Sequence, residues 1–291
     1  MGGETSVEMG GARGIDSRAF SSLGWAGPVR VFTPEQCDRA LRHHASGGHG
    51  RPEWHKGWAA VDPVYHELAT RPALLEIVRP LLGPDVVLWG ANVVSRGPGQ
   101  THACHSDMES AAAHGRFASL WVGLCNTSRD SGLRLIPGSH RYGKTVQELR
   151  YRDGATRAED SDESALAWAR EHDPGARIVA PEVRDGETIV FDGRLWHASA
   201  NRLAAAERLA LLLQYAAADS PVYRPLDERR DWPLRFDERR RPPVITVCGT
   251  PDEMANRTVR PPSWGPGEAP PVGISSIERA PREARDPRGD G

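Results

Sequence analysis

The distribution of apolar residues divides this chain into a helical part and a strand-rich part. Three early segments carry helix-start signals. Thr33-Pro-Glu-Gln36 predicts a helix to about residue 45, Asp62-Pro63 predicts one to about residue 70, and the amphipathic run from Pro72 predicts one ending at Gly83. From residue 85 onward, short apolar runs separated by Gly, Pro and polar turns predict β-strands.

The predicted strands are residues 86–96, 117–126, 133–136, 177–180, 187–192, 195–199 and 208–215. Several strands with short turns, preceded by helices, favour an antiparallel sandwich or barrel with the helices packed outside it. We expect one domain over residues 21–258, a disordered tail over 1–20 and a flexible tail over 259–291. Residues 150–177 interrupt the strand pattern and form either a solvated surface insertion or a lid over the site.

Charge and composition exclude several classes of protein. The formal net charge is -2 with both signs interspersed, so no basic face favours nucleic acid and no polybasic run favours an anionic membrane. No segment approaches the length of an apolar membrane span, and the N-terminus lacks a basic and then apolar signal peptide. The four cysteines are too far apart for a zinc knuckle or a redox pair, which predicts free thiols and a cytoplasmic location.

The stretch around residue 105 carries the candidate chemistry. His105-Ser-Asp107 is a His-x-Asp pair, and His197 lies in a later apolar segment. Two imidazoles and one carboxylate on one side of a metal are the ligand set of non-haem Fe(II) oxygenases. The pair alone is a weak signal in a chain with 11 histidines, so the interpretation depends on the other motifs.

Three further polar residues stand in unusual surroundings. Arg208 begins an apolar strand, where a cation needs an anionic partner. Asn92 interrupts the apolar run 86–96 and must find hydrogen-bond partners, either in the core or on a ligand. Lys56, one of only two lysines, lies in Trp54-His-Lys-Gly57, which forms either a surface turn or the basic, aromatic edge of a pocket.

Five motifs occur along the chain in a fixed order: His105-Ser-Asp107, Ser131-Gly-Leu-Arg-Leu-Ile-Pro-Gly-Ser-His-Arg141, Asp185-Gly-Glu-Thr-Ile-Val-Phe-Asp192, His197 and Arg208. Together they resemble the phytanoyl-CoA dioxygenase (PhyH) family of Fe(II)- and 2-oxoglutarate-dependent oxygenases. The resemblance covers residues 28–220. It implies a mainly β fold, a double-stranded β-helix (jelly roll, cupin-like), with the N-terminal helices packed on one sheet.

The resemblance also implies the roles of individual residues. Arg208, eleven residues after the second histidine, would pair with the distal carboxylate of 2-oxoglutarate. Asn92, Lys56 and Trp121 are weaker candidates beside this co-substrate, which O2 would convert to succinate and CO2 as a substrate is oxidised. A carboxylate at position 107 points to hydroxylation or another oxidation, because halogenating relatives have a small residue there. The Fe(II) ligands it implies are His105, Asp107 and His197.

The substrate class is less sharply indicated. Similarity to bacterial natural-product oxygenases, including those of orthosomycin assembly, implies hydroxylation or oxidative cyclisation of a small molecule, with a sugar-containing antibiotic as one candidate. An acyl-CoA is disfavoured because the sequence shows no basic cluster for its phosphates. We expect a monomer or homodimer, with His102 near the metal ligands or the substrate and His140 structural. Two alternatives stay open: a cupin-like metal oxygenase that does not use 2-oxoglutarate, and a non-catalytic small-molecule binding protein on the same fold.

Overall fold

A computed structural model describes residues 15–110, 114–157, 161–225, 236–237 and 239–264 of the 291. Its α-helices are α1 (Ser17–Leu23), α2 (Pro34–Ala45), α3 (Pro63–Ala69), α4 (Pro72–Leu82), α5 (Val146–Arg152) and α6 (Asp162–Arg170). Its strands are β1 (Trp25–Arg30), β2 (Val86–Arg96), β3 (Thr101–His105), β4 (Phe117–Cys125), β5 (Leu133–Leu135), β6 (Glu187–Asp192), β7 (His197–Ala200), β8 (Arg208–Ala217), β9 (Arg224–Pro225), β10 (Phe236–Asp237), β11 (Pro243–Cys248) and β12 (Arg257–Thr258).

Two sheets pack face to face. The major sheet has the order β1-β6-β4-β8-β2-β11-β12, and the minor sheet has the order β3-β7-β5. Neighbouring strands are antiparallel except for the β11–β12 pair. Apolar side chains from both sheets, among them Trp121, Leu135 and Phe191, form one buried cluster between them. This architecture confirms the predicted jelly roll.

Strand alternation gives the major sheet two different faces. In β8, the side chains of Leu211, Leu213 and Tyr215 join the cluster beneath the helices. The alternating positions point the other way, so Arg208 and Leu212 line a cavity between the sheets. The period-2 pattern of the sequence predicts this division.

Helices α2, α3 and α4 cover the outer face of the major sheet, as the sequence predicts. The Thr33 hydroxyl accepts a hydrogen bond from the Gln36 backbone, and the Gln36 side chain accepts one from the Thr33 backbone, which completes a capping box for α2. Asp62 caps α3 in a similar way through its carboxylate. The buried Tyr215 hydroxyl donates to the Ala69 carbonyl at 2.7 Å and fixes α3 to the centre of the sheet.

Three boundaries differ from those predicted. Residues 17–20 belong to α1, because Asp16 caps that helix, so the predicted tail over 1–20 extends too far; residues 1–14 lie outside the described part. Residues 177–180 make only a bridge between Val179 and β5, since Pro181 removes the next donor. The predicted tail over 259–291 begins too early, because the Val259 amide bonds to β11 and Trp264 packs on the helical cluster; its remainder lies outside the described residues.

Within the described residues, no helix combines the length and the apolar character that a membrane crossing requires.

Candidate metal centre and its cavity

The pairing of β3 with β7 brings the two candidate histidines together. His105, the last residue of β3, lies directly opposite His197, the first residue of β7, and their ring centroids are 4.2 Å apart. Asp107 follows two residues later, where a short 3-10 turn begins. Residue 105 lies outside the strands predicted from the sequence, but the chain still pairs as a strand there, and this pairing sets the distance between the two rings.

The donor atoms of the three side chains converge. One atom from each of His105, Asp107 and His197 lies within 4.8 Å of the others. The Asp107 Oδ1 is 3.7 Å from the His105 Nε2 and 3.8 Å from the His197 Nε2. These separations are too long for hydrogen bonds but suit three atoms around one cation.

The backbone fixes which ring nitrogens are available. The Nδ1 atoms of His105 and His197 lie 3.0 and 2.9 Å from the carbonyl oxygens of Ala103 and Leu195. A carbonyl can only accept, so each Nδ1 carries the proton and each Nε2 of the neutral ring presents its lone pair to the centre. Two imidazole nitrogens and one carboxylate oxygen are a donor set that fits Fe(II).

The Asp107 carboxylate is held by its second oxygen. The buried Ser119 hydroxyl donates to the Asp107 Oδ2 at 2.6 Å, which leaves Oδ1 facing the two imidazoles. Burial alone would raise the pKa of this carboxyl, but the interactions with His105, His197 and Lys56 outweigh it and hold the pKa below its usual range. The group is therefore an anion ready to bind a cation.

Helix α5 holds in place the segment that contains the two candidate ligands His105 and Asp107. The Gln147 side chain accepts from the Ser106 amide and donates to the Ser106 carbonyl, both at 3.2 Å, and both residues are buried. From the same helix, Arg150 donates to the Cys104 carbonyl at 2.8 Å. Side chains of helix α5, which follows the Pro-Gly-Ser-His motif, thus position the segment with the candidate metal ligands, a role that the sequence did not reveal.

Replacing Gln147 with leucine is expected to weaken metal binding as well as stability. The variant leaves the Ser106 amide and carbonyl without partners, which costs about 2 kcal/mol of unfolding free energy, and metal affinity should fall roughly tenfold as the ligands lose their fixed spacing. Urea unfolding and anaerobic Fe(II) titration measure the two effects. Glu148→Gln, on the same helix, should change neither, and equal metal affinity in the Gln147→Leu variant would contradict the positioning role.

The metal-free protein should lose stability between neutral and mildly acidic pH because of His105. Burial and the nearby His197 lower the pKa of His105 to about 4, against the opposing effect of Asp107. The unfolded chain takes up that proton near pH 6.5, so the unfolding free energy should fall by up to about 3 kcal/mol as the pH drops from 6.5 to 4. The difference between wild-type and His105→Gln unfolding curves at each pH isolates this effect, and parallel curves would disprove it.

Arg208 lies on the same cavity, almost fully buried at 1% exposed. Its guanidinium donates to the Val94 carbonyl and to the Ser199 hydroxyl, both at 3.3 Å, and stacks over the Trp121 ring at 5.3 Å. Its buried Nε has no hydrogen-bond partner, and no carboxylate contacts it within the part of the chain that the structure describes. Burial and the nearby Arg96 lower its pKa to about 10.

The weaker candidates also lie on this cavity. The Asn92 Oδ1 is buried without a hydrogen-bond partner there. Lys56 is buried with its Nζ 4.9 Å from the centre of the Trp89 ring. All seven residues singled out for the site, Trp121 included, thus line one cavity of about 310 Å³.

Several polar residues that line the cavity were not predicted from the sequence. Arg96 ends β2 as Arg208 begins β8, so the same signal, a cation at the end of an apolar strand, could have identified it. Arg157 and Ser199 also line the cavity.

The two other histidines named in the sequence lie apart from each other. His102 packs on the His105 ring with their centroids 4.6 Å apart, and His140 instead contacts the Ser21 carbonyl at 3.2 Å in a structural role.

A two-histidine, one-carboxylate centre inside a jelly-roll cavity defines the class of mononuclear non-haem iron proteins. The sequence profile of the phytanoyl-CoA dioxygenase (PhyH) family matches residues 26–210, well over half of the chain. The protein belongs to this family, which confirms the resemblance found in its motifs.

Individual relatives are more distant. The chain is 28% identical over 204 residues to an ectoine dioxygenase of Sphingopyxis alaskensis, a match that covers 65% of each protein, so it spans slightly less than two thirds of that relative. Among solved structures it is similar to the non-heme monooxygenase ThoJ, with 21% identity, a TM-score of 0.57 and coverage of 84% and 87%. It is also similar to SnoN, the non-heme alpha ketoglutarate dependent epimerase of nogalamycin biosynthesis, with 18% identity, a TM-score of 0.54 and coverage of 76% and 91%. The two structural similarities show the fold.

Proposed function

We propose that the protein is a non-haem Fe(II)- and 2-oxoglutarate-dependent dioxygenase that oxidises a small molecule. The observation that carries the proposal is the pairing of a converging His-Asp-His centre with a buried cation on the same cavity. The centre accounts for the metal, and the Arg208 guanidinium accounts for an organic co-substrate with a carboxylate. Membership of the PhyH family supports both assignments.

Each residue has a definite task in this proposal. His105, His197 and Asp107 hold Fe(II) through Nε2, Nε2 and Oδ1. Arg208, together with the Ser199 hydroxyl, binds the distal carboxylate of 2-oxoglutarate through charge-assisted hydrogen bonds.

Two further residues act beside them. Asn92 offers its unpaired amide oxygen to a ligand, and Lys56 contributes positive charge near Asp107. Bound iron, with 2-oxoglutarate and O2, supplies the oxidising chemistry, and the buried walls restrict water.

We place the reaction in bacterial natural-product metabolism, in the cytoplasm. The similarity to SnoN, whose description places it in nogalamycin biosynthesis, supports this setting. The product would be a hydroxylated or oxidatively cyclised small molecule, and a sugar-containing antibiotic remains one candidate substrate. The cavity volume favours a substrate that is small or that extends partly into solvent, because 2-oxoglutarate shares the same space.

Anaerobic titration of the purified protein with Fe(II) and then 2-oxoglutarate tests the proposal. We expect a weak visible charge-transfer band that needs both components, and succinate after O2 is admitted. Metal binding without the band or succinate would favour a cupin-like oxygenase that does not use 2-oxoglutarate. Absence of tight metal binding would favour a non-catalytic binding protein.

A further inference from the structure

The cavity contains more positive charge than the proposed co-substrate can use. Its described lining has a single carboxylate, that of Asp107. A divalent metal and the 2-oxoglutarate dianion cancel each other's charge, so the formal charges of the described lining residues still sum to +3 when both are bound. The four cationic side chains of the lining are Lys56, Arg96, Arg157 and Arg208.

Two of these cations face each other across paired strands. Arg96 in β2 is the register partner of Arg208 in β8, and both guanidinium groups lie on the cavity. Like charges at directly opposed positions destabilise a sheet. No carboxylate contacts either group in the described part of the chain, and the Nε of each is buried without a partner. Such an arrangement is stabilised when anions enter the cavity.

Arg96 has contacts of its own, with the Ser95 carbonyl and with His102. Its guanidinium donates to the Ser95 carbonyl at 2.5 Å and contacts the His102 Nδ1. Arg157, from the insertion after β5, contacts the His102 Nε2 at 3.2 Å. The imidazole ring therefore lies between two guanidinium groups and against the His105 ring.

His102 cannot accept a hydrogen bond from both Arg96 and Arg157 at once. An imidazole ring accepts a hydrogen bond at no more than one nitrogen, because at least one of its two nitrogens carries a proton. One of the two guanidinium contacts is consequently a donor facing a donor, which an anionic group beside the ring would relieve.

We propose that Arg96 and Arg157, spaced by His102, bind a carboxylate of the primary substrate; this assignment rests on the dioxygenase function proposed above. Two guanidinium forks suit a planar group with two anionic oxygens. His102 places this subsite next to the metal ligands. A substrate anchored by its carboxylate would then present a carbon close to its acid group to the iron.

The test measures small-molecule binding to the anaerobic Fe(II)–2-oxoglutarate complex of the whole protein. The probes are acetate, benzoate and N-acetylglycine, each compared with its primary amide, and inorganic phosphate at the same ionic strength. Binding is read from the change in the visible band and from the rise in melting temperature. We expect the acids to bind at least about tenfold more tightly than their amides and than phosphate.

Variants then locate the binding site. Arg96→Gln and Arg157→Gln should each weaken acid binding by about tenfold or more while 2-oxoglutarate affinity changes by less than about threefold. Arg129→Gln, an exposed arginine loosely paired with Glu182, is the matched control and should change neither. A loss of 2-oxoglutarate affinity in Arg96→Gln would assign that arginine to the co-substrate and overturn the proposal.

Other outcomes are equally decisive. The carboxylate subsite is wrong if no acid affects the wild-type complex, if the amides bind as well as the acids, if phosphate binds more tightly, or if the variants bind acids like the wild type. If the wild type forms no band with Fe(II) and 2-oxoglutarate, the dioxygenase proposal fails instead. In that case the melting temperature of the metal-free protein is measured with the same acids and amides, and its rise reports binding at Arg96 and Arg157 alone.

Discussion

Replacing Asp107 with asparagine is expected to abolish metal binding and oxidation together. The substitution keeps the size of the side chain but removes the one anionic donor that the described residues bring to the centre, whose Oδ1 faces both imidazoles within 3.8 Å. Fe(II) affinity should fall by at least about a thousandfold, since two neutral imidazoles remain, and succinate formation should become undetectable. Anaerobic Fe(II) titration and a succinate assay measure the two losses.

A second variant separates the metal role from folding. Ser119→Ala removes the hydrogen bond to the Asp107 Oδ2 but keeps the charge, so Fe(II) affinity should fall only about tenfold. Both variants should keep the β-rich circular dichroism spectrum of the wild type. An Asp107→Asn protein that bound Fe(II) and formed succinate at the wild-type rate would disprove the assignment of the centre.

Helix boundaries and central strands were predictable because their signals are local. The Thr33 and Asp62 caps act within three residues along the chain, and the apolar runs of β4 and β8 are long enough to indicate buried strands. Short strands lack such signals. Strand β3 reads Thr-His-Ala-Cys-His, without an apolar alternation, and its existence depends on pairing with β7.

The three proposed metal ligands were predictable only through the family resemblance. Nothing in the spacing of residues 105 and 197 indicates that they are cross-strand neighbours, because this depends on the register of two distant segments. The motif order supplied that information. The structure adds what a motif cannot contain, namely the carbonyl partners at Ala103 and Leu195 that set the tautomers.

The basic lining of the cavity was not predictable. Lys56, Arg96, Arg157 and Arg208 are far apart along the chain, so the sequence does not show that they form one basic cluster. Three separate strands or loops and an insertion bring them to one cavity. Arg157 also gives the 150–177 insertion a contact with the site, although its action as a lid stays a prediction.

Replacing Arg208 with methionine is expected to weaken 2-oxoglutarate binding by about a hundredfold or more without loss of Fe(II) affinity. In the proposed function the guanidinium supplies charge-assisted hydrogen bonds to the distal carboxylate, each contributing about 1.5–3 kcal/mol, and methionine supplies none. Arg208→Lys should recover part of the affinity, because an ammonium group keeps the charge but not the planar fork. The charge-transfer band, titrated with 2-oxoglutarate at saturating Fe(II), measures both variants.

Urea unfolding distinguishes an Arg208 that binds the co-substrate from an Arg208 that forms a structural salt bridge. Arg208 is buried with no carboxylate contact in the described residues, so the co-substrate-free protein carries the cost of an uncompensated cation. Arg208→Met should therefore unfold at the same or a higher urea concentration than the wild type when 2-oxoglutarate is absent. Added 2-oxoglutarate should stabilise the wild type and leave the variant unchanged. A variant that is destabilised without 2-oxoglutarate but binds it normally would show that Arg208 serves the barrel and not the ligand.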